Sequence, residues 1–277
     1  MSGRKAEIKE EEIEEILLLV NRTYGYDFTN YSRASMQRRI ARFIDDARFK
    51  NFSEFKFSLI NDTSVFDYFL QRITVNVTEM FRDPQFYNAI RTLVLPVIAS
   101  YPTIKIWHAG CSSGEEVFSM AILLHEAGLL KRSKIYGTDI NPSNIEKAKK
   151  GILPLDVMKE YVANYIHSGG ESDFASYYTA RYNNAIIRKD LRDNIIFSQH
   201  NLVTDQVFNE FQLILCRNVM IYFNGQLQNR VIQLFYNSLS TFGFLALGIK
   251  ESLLFSDLKN KFEIVSQQEK IFKRIQL

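Results

Sequence analysis

The run His108-Ala109-Gly110-Cys111-Ser112-Ser113-Gly114-Glu115-Glu116 follows a short apolar stretch and opens a helical one. Glycine lets a ligand approach the backbone closely, and the amino end of a helix offers free N–H groups. The two acids decide the kind of ligand, because Glu115 and Glu116 at a helix start repel a pyrophosphate and suit a cation. The turn also lacks the Gly-Lys-Ser/Thr of a nucleotide P-loop and is not GxGxxG. Asp139 ends the next apolar run, 25 residues beyond Gly114. An acid at that place accepts hydrogen bonds from ribose hydroxyls. Asn141, before Pro142, already fills the helix-cap role. An adenosine that carries a cation and no diphosphate describes S-adenosylmethionine, a reading preferred over NAD.

Two later runs end in similar polar residues: His200-Asn201-Leu202 and Cys216-Arg217-Asn218-Val219-Met220-Ile221-Tyr222-Phe223. Asn201 and Asn218 can bond adenine edges or the amino-acid end of the ligand, with Leu202 walling the ring. Arg217 directly follows an apolar run and is costly to bury unless paired, so a surface arginine is the plain alternative. Cys111 and Cys216 have no base or metal partner nearby in sequence and read as small apolar wall residues. The four histidines lie far apart, without metal-ligand spacing.

These residues need a scaffold that brings strand ends together. Strands are predicted at 104–108, 134–138, 194–198, 211–216 and 243–248, with helices at 115–128, 142–150 and 226–239 between them. That alternation is the signature of a doubly wound parallel α/β sheet. The segments 262–266 and 270–275 are separated by a very short turn and predict a terminal antiparallel hairpin. An insertion at about 152–193 interrupts the alternation, with a small hairpin centred on Asn183-Asn184. Ahead of the sheet, residues 1–70 read as a helical domain. One helix has Ile13, Ile16, Leu17 and Val20 on one face, and a second has Met36, Ile40, Phe43 and Ala47 inward. A third amphipathic stretch runs from 52 to 70. The second helix turns Arg38, Arg39 and Arg42 outward. Residues 71–83 read as an extended linker contributing to the ligand site. Asp83-Pro84 starts a helix with Phe86, Ile90, Leu93, Val94 and Val97 as its buried stripe.

Composition narrows the classes. The chain has 277 residues, 34 Lys+Arg against 31 Asp+Glu for a net charge of +3, 46% apolar residues and 23% charged ones. That is ordinary globular composition with no apolar run long enough for a membrane span, so neither membrane insertion nor disorder is expected. The start lacks a signal-peptide pattern and two cysteines make no disulfide framework, which predicts a cytoplasmic protein with reduced thiols. A charge of +3 is small for a protein that lives on phosphate backbones.

The runs Asn76-Val77-Thr78-Glu79-Met80-Phe81-Arg82-Asp83, Gly110 to Glu116, Gly137-Thr138-Asp139-Ile140 and Cys216 to Phe223 closely resemble the chemotaxis-receptor glutamate O-methyltransferases, the CheR family. The likeness covers nearly the whole chain. It implies a Rossmann-like class I methyltransferase domain over 84–277, and an enzyme moving a methyl group from S-adenosylmethionine to glutamates of a chemoreceptor's cytoplasmic helical bundle. S-adenosylhomocysteine would be the other product. Carried over by motif, Asn76, Thr78, Arg82, an acid of the Glu115/Glu116 pair, Asp139, Asn201, Leu202, Arg217 and Asn218 line the cofactor. Gly110 gives it close backbone approach. Arg82 and Tyr222 face the reacting groups. In some members the inserted hairpin captures a peptide at the receptor's carboxyl end. The helix bearing Arg38, Arg39 and Arg42 offers a docking face for an acidic helical substrate, with an ordinary solvated face as the alternative. A monomer is expected. The chain departs from the family's Gly-His-Ser-Glu run, having Gly248-Ile249-Lys250-Glu251-Ser252 instead. A nucleic-acid methyltransferase would want an Asn/Asp-Pro-Pro-Tyr/Phe motif, which Asn218 to Tyr222 does not provide. A non-catalytic, S-adenosylmethionine-sensing adaptor is the rival from another class.

Overall fold

Apolar residues three and four apart become the buried stripes of four helices in the computed structural model, which describes residues 8–74, 77–254 and 256–275. Helix α1 (Glu10–Tyr24) buries Ile13, Ile16, Leu17 and Val20 and stops at Gly25 in a left-handed cap. Helix α2 (Arg33–Asp46) buries Met36, Ile40, Phe43 and Ile44. Ala47, expected inward, lies past its end, and Ile44 takes that place. The stretch expected as one helix over 52–70 is two, α3 (Phe52–Asn61) and α4 (Thr63–Ile73). Asp62 divides them: its N–H closes α3 on the Ser58 carbonyl, and its carboxylate caps α4 by accepting from Ser64 N–H at 2.9 Å. Helix α4 therefore runs to Ile73, into the segment expected to be extended. Phe43, Phe55 and Phe69 are buried against one another with centroids 5.2 to 5.7 Å apart. Each such buried ring contributes roughly 2 to 3 kcal/mol. The compact unit comprises Met1–Asn76 and Tyr222–Gln228. The later segment joins it through a Tyr31–Phe223 bridge, and Ser32 N–H donates to the Tyr222 carbonyl at 2.7 Å.

The second unit comprises Val77–Ile221 and Asn229–Leu277. It opens with α5 (Pro84–Ala89), a π turn (Ile90–Val94) and α6 (Leu95–Ile98). Pro96 lacks the N–H that would continue an α-helical ladder, and Leu95 N–H reaches back five residues to the Ile90 carbonyl. This phase shift exposes Leu93 and Val97, which the sequence pattern placed inward, and buries Leu95 and Ile98; Tyr87, ahead of it in α5, is buried as well.

The alternating pattern then delivers β1 (Ile104–Ala109), α7 (Glu115–Glu126), β2 (Ser133–Asp139) and α8 (Pro142–Lys150). The insertion contributes β3 (Ile152–Pro154), α9 (Met158–His167), β4 (Tyr178–Arg181) and β5 (Asn184–Ile187). After it come α10 (Lys189–Arg192), β6 (Ile195–Gln199), β7 (Phe211–Cys216), α11 (Gly225–Ser238), β8 (Leu239–Leu247), β9 (Phe262–Ser266) and β10 (Ile271–Arg274). The seven-stranded sheet has the order β6-β2-β1-β7-β8-β10-β9, with every strand parallel except β10, which runs antiparallel between β8 and β9. This is the class I methyltransferase arrangement, terminal hairpin included. The inserted strands form a separate antiparallel sheet, β3-β5-β4, whose hairpin turns at Tyr182-Asn183, one residue earlier than expected. Strand order reverses between β1 and β7, so the chain leaves these two strands in opposite directions, the place beyond the strand ends where open α/β sheets bind ligands.

Candidate active site at the strand ends

Beyond β1 the chain makes a tight turn in which Gly110 and Cys111 N–H both donate to the Thr138 carbonyl at 2.8 Å. Gly110 has a φ of 78°, and a Cβ there would collide with Cγ2 of Val219 from the loop after β7. Only glycine permits that approach. Asp139, buried at the end of β2, ties two turns together. Its carboxylate accepts from Ser112 N–H and Asn141 N–H, both at 2.9 Å, and from the Asn144 amide at 3.3 Å. Burial raises the Asp139 carboxyl above its usual range despite these donors. Asn141 caps α8 as expected, accepting from Ser143 N–H.

The neighbouring acids diverge. Glu115 is buried, and its carboxylate receives only the Ser113 hydroxyl, at 2.8 and 3.0 Å, among the hydrogen bonds seen at its side chain. Burial pushes its carboxyl up to about 7. Glu116 meets His108 Nδ1 at 2.8 Å with one oxygen and Arg217 Nη1 at 3.1 Å with the other. Burial works against its charge, but the His108 and Arg217 contacts together hold its carboxyl below the ordinary value.

Arg217 is buried, so the surface alternative falls. Its Nη2 bonds the Asp83 carboxylate at 2.6 Å and the Arg82 carbonyl at 3.3 Å, and its guanidinium lies 3.9 Å from the centre of the Phe86 ring. Asp83 was expected to cap α5 with its side chain. It makes no such bond, because that carboxylate is committed to Arg217. Arg82 stands between two residues in left-handed conformation, Phe81 (φ 53°) and Asp83 (φ 57°). Backbone strain of this kind persists only where surroundings enforce it. Here Phe81 is fully buried and its N–H donates to Ser119 Oγ at 2.9 Å. The Arg82 side chain is partly exposed, 3.9 Å from Glu79, which leaves its guanidinium available.

The Asn201 side-chain oxygen accepts from Val203 N–H at 3.0 Å, and Leu202 beside it is buried. Thr78 and Asn218 are half-buried, Asn218 with a φ of 62°. Asn76 lies outside the described residues. Cys111 and Cys216 are buried free thiols, pushed well above their usual range by burial. The second unit thus gathers Arg82, Gly110, Glu115, Glu116, Asp139, Arg217 and Asn218 around adjoining turns.

The helical unit holds the rest. Arg38 and Arg42 are exposed, with Arg42 3.9 Å from Asp46. Arg39 differs: its guanidinium lies 4.5 Å from the centre of the Tyr222 ring and donates to the Ile73 carbonyl. It fastens Tyr222 rather than facing outward with its neighbours.

A cavity of about 840 Å³ lies at the opposite end of α7, lined by residues including Arg91, Glu126 and Tyr177, and contains none of the predicted site residues. Sequence reasoning missed Asp83, His108 and Glu251 as organisers of the strand ends. A buried histidine at the end of an apolar strand was the one available signal.

Residues 76–271 match the CheR methyltransferase SAM-binding domain, and residues 11–74 match the CheR methyltransferase all-alpha domain. The chain belongs to the CheR methyltransferase family. It is 49% identical over 263 residues to the Cher3 protein of Pseudomonas putida, covering 94% of this chain and 96% of that one. A chemotaxis protein methyltransferase of Listeria innocua is 32% identical over 85% of this chain and 88% of its own. One from Borreliella burgdorferi is 27% identical over 89% of each. The cofactor of this CheR-family chain is S-adenosylmethionine, and the site fits it. Carboxylates rather than phosphate-binding groups stand at the start of α7, and Ser112 Oγ and Arg217 Nε are buried without a hydrogen-bond partner among the described residues. No helix among the described residues is long and apolar enough to cross a membrane.

Proposed function

We propose that this CheR-family protein methylates glutamate side chains of a chemoreceptor's cytoplasmic helical bundle, giving glutamyl methyl esters. The observation that carries the reading is the gathering of Glu115, Glu116 and Asp139 at the strand ends, with the partly exposed Arg82 held between the left-handed Phe81 and Asp83. S-adenosylmethionine, when bound, supplies a methyl group on a positively charged sulfur. Asp139 would receive the ribose hydroxyls, an acid of the Glu115/Glu116 pair the cationic end, and Asn201, Leu202 and Asn218 the adenine or amino-acid ends. A substrate glutamate with a pKa near 4.3 is already ionised at neutral pH, so the protein need not remove a proton from it. Its work is alignment, which can contribute roughly 7 to 11 kcal/mol through avoided entropy loss. Arg82 orients a carboxylate, of substrate or cofactor, and the Tyr222 hydroxyl helps fix the reacting oxygen. The exposed Arg38 and Arg42 attract an acidic helical bundle, mainly by accelerating encounter.

Transfer of labelled methyl to purified chemoreceptor cytoplasmic domains tests the reading, with alkaline release of methanol identifying an ester and nucleic acid as the control substrate. Base-labile label on receptor glutamates is expected. Cofactor binding with no transfer to a broad receptor panel would favour the sensing adaptor. Arg82→Ala should cut turnover about a hundredfold. A change confined to S-adenosylhomocysteine affinity would assign Arg82 to the cofactor, and unchanged turnover would remove it from the mechanism. The double reversal Arg38→Glu, Arg42→Glu should raise the receptor KM several-fold at low salt and leave S-adenosylhomocysteine binding intact. An unchanged KM would make that face an ordinary solvated one.

A further inference from the structure

The Glu251 carboxylate lies far in sequence from every strand-end residue above, yet it is buried among the N–H groups of the loop after β7. One oxygen accepts from Val219 N–H at 2.9 Å and Met220 N–H at 2.7 Å. The other accepts from Asn218 N–H at 3.1 Å and Gly248 N–H at 2.6 Å. Its own N–H donates to the Gly248 carbonyl at 2.8 Å, closing a turn just beyond β8. A Cβ on Gly248 would stand 2.8 Å from both Asn218 N and a Glu251 oxygen, so the absence of a side chain there lets the two loops meet.

We infer that Glu251 is a positioning residue for the cofactor site, fixing the Asn218 to Met220 loop so that Asn218 presents its amide and Val219 packs against the Gly110 turn. This rests on the methyltransferase reading of that site. Charge-assisted bonds to backbone N–H groups are among the stronger ones a side chain can make, and three of these four hold the irregular residues after β7 and the first residue of the 3-10 turn that follows them. Asn218 sits in left-handed conformation, which asparagine tolerates but which its surroundings must select. Burial raises the Glu251 carboxyl above its usual value even against these donors.

The test uses the full chain and S-adenosylhomocysteine as the probe. Glu251→Gln keeps the shape but turns an NH2 toward two of the N–H donors, so S-adenosylhomocysteine should bind about tenfold more weakly. The amide proton signals of Asn218, Val219 and Met220 should move upfield in the ligand-free protein, and the receptor KM should stay within about twofold. Leu253→Ala, at a buried position two residues beyond that turn, should lower thermal stability without changing that affinity. Glu251→Asp should bind with intermediate affinity, and it takes over the measurement if the glutamine variant does not fold. Wild-type affinity in a folded Gln or Asp variant overturns the inference. Wild-type protein that binds no S-adenosylhomocysteine would instead sink the cofactor reading. The amide signals, which need no ligand, then decide whether Glu251 shapes the loop, and unmoved signals overturn it.

Discussion

The turn after β1 and the loop after β7 lie side by side at the sheet's switch point and are held by opposite means. The first is local: two glycines, two N–H groups on one Thr138 carbonyl, and an Asp139 carboxylate within the next βα unit. The second is borrowed from afar. Arg217 is anchored by Asp83 and Glu116, more than a hundred residues upstream, and the following three residues are held by Glu251, beyond β8. The first turn is therefore most sensitive at Gly110, and the second at the distant side chains that hold it.

The largest effect that would sharpen this contrast is at Gly110. Gly110→Ala puts a methyl into Val219 and a side chain onto a left-handed backbone, costing about 3 kcal/mol or more. Loss of measurable S-adenosylhomocysteine binding with a lowered melting temperature is expected. Gly110→Ala combined with Val219→Ala should recover part of both, since the collision is removed and only the φ penalty remains. A double variant no better than the single one would mean that the two loops are not coupled through this contact.

Arg217→Met probes the other loop and should cost about 3 kcal/mol, because it leaves Glu116 and Asp83 without their shared cation in a largely buried setting. Asp83→Asn should cost less, roughly 1 kcal/mol, since Arg217 keeps Glu116 and the Phe86 ring while the Asp83 side chain is partly exposed. Denaturant melts of the two variants check the order. If Asp83→Asn were the more damaging, the strained Arg82 turn rather than the guanidinium would be what Asp83 supports.

The same difference in construction decides what could be read from sequence. The strand and helix alternation, the terminal hairpin and the β1 turn follow from local patterns: β-branched runs, glycines flanking a helix start, and Asn141-Pro142 at a cap. The breaks in helices depend on single residues whose effect is tertiary. Asp62 splits one expected helix, and Pro96 shifts the phase so that Leu93 and Val97 face out. Asp83 carries an ordinary capping signal, yet its carboxylate goes to Arg217, a partner that only the folded sheet brings near. Glu251 was hidden in a run that departs from the family's Gly-His-Ser-Glu at Ile249 and Lys250. Those two residues are exposed, and the Gly and Glu that build the clamp are the ones retained.

The smallest effect separates Glu115 from Glu116, and with them the two ways a carboxylate can serve this site. Glu115 titrates at about 7 in the folded protein against 4.5 for its ordinary value, so between those limits the folded state holds a proton that the unfolded state has lost. Stability therefore falls as pH rises from about 4.5 through about 7, and the full penalty is present above that. Glu115→Gln removes the ionisation. The variant and wild type should melt together near pH 4.5, and the variant should melt roughly 2 to 5 °C higher at pH 8. If Glu115 is the acid that meets the ligand's cationic end, S-adenosylmethionine affinity in the wild type should rise between pH 6 and 8, and that rise should vanish in Glu115→Gln. A flat affinity in the wild type across that range would assign the contact to Glu116, whose charge is already secured by His108 and Arg217. It would also make the local β1 turn dependent on the same long-range anchors as the loop after β7.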